Sequence, residues 1–339
     1  MSPKLQQIAK KSRSAIIAYR IYENWSTKQR FKSGNTESNL GSTHRGRTLS
    51  ESLAYINAQF DDYLTYWGLP SSALKGKRVL EVGFGDNIGV ALKFIAAGAS
   101  HVSCLDKFYA KRDTEQERQI YSALRETLDD VSKTHFDEAI DPTNGAPSDP
   151  QKIRCIYGVD VEESDELANG PPFDLVVSRG AIQDIYEPEN AFKGMDRLLA
   201  PGGYMLHKID LSDQGMFRDN GLNPLTFLTI PESIYRLMAR GSGRPNRKLM
   251  SDYRAILTEL GYESKLLITD VIGRKGKGDL QPHKESLDGN ADYVATALAL
   301  VHEIRPRLIP KFRRASDEEL MISGIFMIAS KPITHGSTT

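Results

Sequence analysis

The sequence predicts an α/β fold in which a largely parallel sheet carries helices on both faces, and two patterns support this. From Lys77 onwards, short apolar runs of strand length fall near 78–83, 101–106, 153–159, 173–178, 203–209, 263–270 and 322–330. Stretches with helical spacing lie between them, near 88–97, 113–132, 188–199 and 252–260. Strands alternating with helices build parallel sheets, because each crossover has to return over a face of the sheet. The punctuation agrees: Pro188 suits a first helical turn and Gly261 a C-terminal cap. Two connections are long, 133–152 and 271–292, and are read as loops.

Ahead of this region, Thr48-x-x-Glu51 has the form of a capping box. Leu49, Leu53, Ile56, Phe60, Leu64 and Trp67 follow at helical spacing as far as Gly68. Residues 34–48 are polar, glycine-bearing and aperiodic, as a loop would be. Between Lys4 and Lys32 eight lysines and arginines face one acid, Glu23. Leu5, Ile8, Ile16, Tyr19, Tyr22 and Trp25 are expected to share a helical face. That is either a helix packed on the domain with a solvated basic side or a basic amphipathic helix resting on anionic lipid. The expected division is an N-terminal helical extension or cap over 1–74 and a single domain over 75–335.

Composition bounds the function. Hydrophobic residues at 40% and charged residues at 26% are ordinary for a globular protein. Lys+Arg 44 against Asp+Glu 44 leaves no overall basic field, so no nucleic-acid partner is expected. Cys104 and Cys155 each sit in an apolar run and read as buried thiols of a reducing compartment. Neither a spanning segment nor a signal peptide is apparent, which predicts a cytoplasmic protein, with peripheral contact to the inner membrane through the basic helix as the variant reading.

The chemistry is carried by Val79-Leu-Glu-Val-Gly-Phe-Gly-Asp-Asn-Ile-Gly89. A glycine turn between a strand and a helix lets backbone approach a ligand closely and aims helix N-terminal amides at it. A nicotinamide dinucleotide fingerprint wants a glycine three places after Gly85, where this chain has Ile88, which argues against an oxidoreductase. Glu81, just before the turn, suits a ligand bearing cations better than a pyrophosphate. Asp106 ends the next strand about 20 residues past the second glycine, where an acid accepts both hydroxyls of a ribose. Asp160 follows the third strand, within reach of an adenine amino group.

With Phe173-Asp-Leu-Val-Val-Ser-Arg-Gly-Ala-Ile-Gln-Asp-Ile185 and Leu198-Leu-Ala-Pro-Gly-Gly-Tyr-Met-Leu206, these motifs resemble the class I S-adenosylmethionine (SAM) dependent methyltransferases over roughly Lys75 to Pro332. The resemblance implies a Rossmann-like seven-stranded sheet of order 3-2-1-4-5-7-6 with the last strand antiparallel. It also implies SAM as cofactor and S-adenosylhomocysteine as product. Carried over by position, Glu81, Gly83 and Gly85 hold the methionine end, Asp106 the ribose, Asp160 the adenine, and Ser178, Arg179 and Gly180 the sulfonium side. Asn87, Lys107 and Val161 complete the expected cofactor set. Asn87 is a departure, since many relatives have a third glycine there.

Methyl transfer to a hydroxyl also needs a base. Asp184 after the fourth strand and His207, Lys208, Asp210 and Asp213 at the fifth are the candidates, and Asp184, His207 and Asp210 are taken as the catalytic set. A divalent ion on the same three side chains is the less favoured reading. His44 joins them if its loop folds over the site. Ser52-Leu-Ala-Tyr-Ile-Asn57, Phe60-Asp-Asp-Tyr63, Asn223-Pro-Leu-Thr-Phe-Leu228, Pro245-Asn-Arg247 and Ser251-Asp-Tyr-Arg254 further resemble bacterial methyltransferases of cell-surface polysaccharide and sugar modification. That resemblance implies O-methylation of a sugar on a glycan, with nucleotide- and lipid-linked forms among the acceptors. A methyltransferase for another small molecule or a lipid, or a protein that binds SAM without turnover, is the alternative.

Overall fold

The computed structural model describes residues 12–38, 43–141, 144–276, 278–281 and 283–333. Lys4, Leu5, Ile8, Lys10 and Lys11 of the expected basic helix lie outside the described residues. Seven strands form one sheet: β1 Arg78–Val82, β2 His101–Asp106, β3 Ile153–Tyr157, β4 Phe173–Arg179, β5 Leu199–Asp210, β6 Glu263–Val271 and β7 Ile322–Ser330. Their order is 3-2-1-4-5-7-6. β1 to β5 pair in parallel, and β7 runs antiparallel to both β5 and β6. The nine longer helices among the described residues are α1 Arg13–Lys32, α2 Leu49–Trp67, α3 Gly89–Ala96, α4 Thr114–Glu126, α5 Asp130–Ala139, α6 Pro188–Leu198, α7 Glu232–Ala239, α8 Met250–Glu259 and α9 Asp292–Ile304.

Side chains alternate across a strand, so each strand feeds two cores. Val79, Val102, Cys104, Leu175, Val177 and Leu206 pack under α2, α3 and α4. Leu80, Leu105, Val176, Met205, Ile209 and Met327 pack under α6 and α8 on the opposite face. Both halves of the α2 capping box form, and Gly68 closes the helix at φ 75°. The Pro201-Gly-Gly sequence is the irregular start of a long β5 rather than a turn ahead of it, with the register against β4 shifting between Phe173 and Leu175. Cys104 and Cys155 sit opposite one another on β2 and β3 as free thiols.

The stretch expected as one helix over 113–132 is broken. Thr127 ends α4, and Asp129 accepts the Ser132 N–H (2.8 Å) to begin α5, which takes up part of the connection expected as a loop.

A third core was not anticipated. Phe217, Phe227, Ile230, Tyr235 and Met238, from the segment between β5 and α8, pack on Val301, Ile304 and Phe312, from the segment between β6 and β7. Helix α1 joins them through Ile16, and the Asn24 side chain donates to the Leu237 carbonyl at 2.9 Å. The face of α1 that is buried therefore carries Ile16, Asn24 and Thr27, while Tyr19, Tyr22 and Trp25 are 57%, 61% and 57% exposed. Of the residues expected to share one helical face, Ile16 is therefore buried while the three aromatics lie outside.

Candidate active site

At the C-terminal ends of β1 to β4, where open α/β sheets place their ligands, lies a cavity of about 600 Å³. Gly83, Asp106, Lys107, Asp160, Val161, Gly180 and Asp184 all line it. Gly83 has φ 80°, and a Cβ there would lie 2.3 Å from that of Ala181. Only glycine lets the β1 and β4 turns meet at this wall. The Gly85 N–H donates to Asp106 (3.2 Å), as does that of Phe108 (2.9 Å), which fixes the carboxylate at the mouth of β2. Burial pushes Asp106 up to about 6. Lys107 holds Asp160 in an ion pair of 2.7 Å.

Asp184 projects from a short turn, Ile182–Asp184, that is pinned from outside. The Asn246 amide donates to the carbonyls of Ile182 (3.1 Å) and Ile185 (2.9 Å), and the Asn246 N–H donates to that of Gln183 (2.8 Å). The Asp184 carboxylate, half-buried where it opens on the cavity, accepts one hydrogen bond, from the Gln214 amide at 2.8 Å. Gln214 adopts φ 49°, unusual for a residue with a side chain. Burial pushes Asp184 up to about 8, the charges of Asp210 and Asp106 add to the rise, and the Gln214 bond and Arg244 oppose it. Arg244 itself is engaged by Glu23 at 2.7 Å.

Other expected residues lie elsewhere. His207 falls on the same strand face as Met205 and Ile209, so its ring is buried beneath α6, edge-on to Phe192. Its Nδ1 shares a hydrogen with Ser178 Oγ (2.8 Å), Nε2 has no partner, and burial pushes it down to about 3. The expectation of a base at His207 is corrected on this ground: it sits three residues inside the strand, with no path to a ligand. Ser178 is withdrawn behind the cavity with it. Asp210 accepts the Ser212 N–H (2.8 Å) and lies outside the lining. Asp213 is buried as the acceptor for the N–H groups of Gly215, Phe217 and Arg218.

Arg179 and Lys208 point to the α2 face, where Arg179 pairs with Asp62 (2.5 Å) and Lys208 with Asp279 (2.5 Å). Glu81 is buried with the Cys104 thiol 3.9 Å from its carboxylate, and burial, with the nearby Cys155 and Asp106, pushes it up to about 8. Among the described residues no group of three His, Cys, Asp or Glu is placed to hold a metal ion.

Gly85 and Asn87 flank Asp86, on which the loop at 43–45 is anchored. The N–H groups of Thr43, His44 and Arg45 all donate to Asp86, at 3.2, 3.1 and 3.3 Å. The loop thus folds onto the glycine turn. His44 is buried edge-on to Tyr55 with Nδ1 unpartnered, and burial lowers its pKa. Asp86, Gln214 and Asn246 are the residues missed. Asp86 alone had a local signal, an acid directly after a glycine turn.

A nucleoside that carries cations fits this donor set. Asp106, Asp160 and Asp184 face the cavity and Gly83 of the glycine turn lines it; Asn87 Nδ2 and Gln183 Oε1 are buried without partners. A family profile described as a methyltransferase domain matches residues 54–254, more than half of the chain. No curated protein matches. Among solved structures, phosphoethanolamine N-methyltransferase 2 of Haemonchus contortus, in complex with S-adenosyl-L-methionine, is 16% identical over 81% of this chain and 52% of its own, with a TM-score of 0.40. This chain thus spans about half the length of that protein. A SAM-dependent methyltransferase from Mesorhizobium loti is 13% identical over 81% of this chain and 100% of its own, with a TM-score of 0.40. The chain belongs to the methyltransferase-domain family.

Proposed function

We propose that the protein O-methylates a sugar hydroxyl of a glycan or cell-surface polysaccharide precursor, with Asp184 as the base. The observation that carries this is Asp184 itself: a carboxylate on the cofactor cavity with no cation paired to it and an affinity for protons raised to about 8. A base poised near neutrality is what removal of a hydroxyl proton requires. The resemblance of 52–63, 223–228 and 245–254 to sugar-modifying enzymes supports the acceptor class.

In this reading Asp106 holds the ribose, Asp160 and Val161 border the adenine, and Gly83, Gly85, Asn87 and Gly180 enclose the methionine and sulfonium. Bound there, SAM supplies an electrophilic methyl group. Glu81 and Arg179 support the turn from behind rather than touching the ligand. Asp184 takes the proton of the acceptor hydroxyl as the oxygen gains the methyl, and Gln214 keeps the carboxylate aimed. Alignment of acceptor and donor is the other contribution, up to about 7–11 kcal/mol in favourable cases. The described residues ahead of 75 serve as a cap on the domain that follows.

The exposed Tyr19, Tyr22 and Trp25, with Arg13, Arg30 and Lys32 on the same helix, support a peripheral membrane contact of a cytoplasmic enzyme. Among the described residues no helix is long and apolar enough to cross a membrane. The test of the acceptor is mass spectrometry after incubation with SAM and pools of sugar nucleotides, isolated glycans and lipid extract. A gain of one methyl mass is expected on a sugar, and gain confined to an acyl or amine group of the lipid extract would refute the assignment.

A further inference from the structure

Two cations on the cavity wall remain outside that reading. Lys28 reaches the wall from α1 and Arg240 from the end of α7, together with Gly241 and Gly243. They come from segments more than 200 residues apart, brought together where α1 lies along α7. Gly241 makes the approach feasible: it has φ 105°, and a Cβ on it would stand 3.0 Å from Lys28 Cε. The lysine stem passes over bare backbone.

Lys28 has no ion pair or side-chain hydrogen bond among the described residues. The charges acting on it are the like charges of Arg240 and Lys32, and burial with this repulsion lowers its pKa. Arg240 has a single loose counter-ion, Glu187 at 3.5 Å, with both side chains about half exposed. Elsewhere on the cavity Lys107 is closed off by Asp160, and nearby Arg244 by Glu23. Two cations that share one half-exposed counter-ion, on the wall of a cavity otherwise rich in acids, are complementary to an anion.

We propose that Lys28 and Arg240 form a subsite for a phosphoryl group carried by the methyl acceptor. Two cations match the double charge of a phosphate better than the single charge of a carboxylate, and the subsite shares one cavity with Asp184. The acceptor is then held by its charged group at one wall and presents its hydroxyl at the other. This rests on the reading of the cavity as the methyl-transfer site.

The test is calorimetric titration of the full chain, saturated with S-adenosylhomocysteine, with inorganic pyrophosphate, inorganic phosphate and acetate at low salt. Pyrophosphate and phosphate are expected to bind, and acetate is not. Lys28→Gln and Arg240→Gln should each weaken pyrophosphate about tenfold or more, as loss of one charge-assisted contact does. Lys28→Arg should restore it, and S-adenosylhomocysteine affinity should hold throughout. Absence of pyrophosphate binding, equal binding of acetate, or indifference to both Gln substitutions would overturn the subsite. Failure of S-adenosylhomocysteine to bind the unmodified chain would instead overturn the reading of the cavity. Repeating the titration with a nucleoside diphosphate and with a short-chain prenyl phosphate then separates the two sources of such a group.

Discussion

At the scale of single residues, two carboxylates, one buried and one half-buried, decide how the protein responds to pH. As the proposed base, Asp184 works only when ionised, so kcat/KM is expected to rise with pH and level off above about 8. Asp184→Asn should lower kcat by about 10²–10⁴ and leave S-adenosylhomocysteine binding nearly unchanged. A rate profile that stays flat while the wild-type carboxylate titrates would remove it from the mechanism. Glu81 makes a separate prediction. Its folded pKa of about 8 exceeds the ordinary 4.5, so between those values the folded chain holds more protons than the unfolded one, and stability falls as pH rises through that window. Glu81→Gln keeps the shape without the titration. Urea unfolding should find variant and parent alike near the bottom of the window. Above it the variant should be more stable by on the order of 2–4 kcal/mol. Parallel curves would show that Glu81 does not carry the effect.

Elements owe their functional placement to side chains outside them, and this sets what could be read from sequence. The seven apolar runs marked the strands to within a few residues, because strand length and flanking polar residues are local properties. The acids Asp106, Asp160 and Asp184 were legible for the same reason: in a parallel sheet every strand end delivers its next residues to one edge. His207 was not, since whether a side chain meets that edge or a core depends on strand parity and on where the strand ends, and β5 continues to Asp210. Nor could the sequence show that Asn246 pins the turn bearing Asp184, or that Asp86 anchors the loop at 43–45. The anchor is testable. Asp86→Ala removes the common acceptor of three N–H groups, and loss of such buried contacts costs about 1–3 kcal/mol. Opening of the loop should become about tenfold or more frequent, seen as faster tryptic cleavage after Arg45 and Arg47. Unchanged cleavage would mean that other contacts, such as the Gln116 amide on the His44 carbonyl (2.9 Å), suffice to hold it.

For the whole molecule, the sheet and its two cores form the part that composition and periodicity foretold, and the third core is the part they did not. It assembles from α1 and from segments inserted on either side of β6, none of which buries an apolar face alone, so only tertiary contact reveals it. It also supplies the cavity wall at Arg240, Gly241 and Gly243, which ties its integrity to the proposed acceptor subsite rather than to the glycine turn. The double substitution Ile16→Ala with Asn24→Ala removes a buried side chain and the bond to the Leu237 carbonyl, a loss of about 3–5 kcal/mol. Because the first two cores contain no residue of α1, this loss should stay local. Hydrogen exchange is expected to accelerate in 13–32 and 232–243 and to remain slow in β1 to β4, with S-adenosylhomocysteine affinity preserved and pyrophosphate affinity reduced. If protection fell equally across the sheet, the third core would be continuous with the others, and the acceptor wall could not be loosened without the cofactor site.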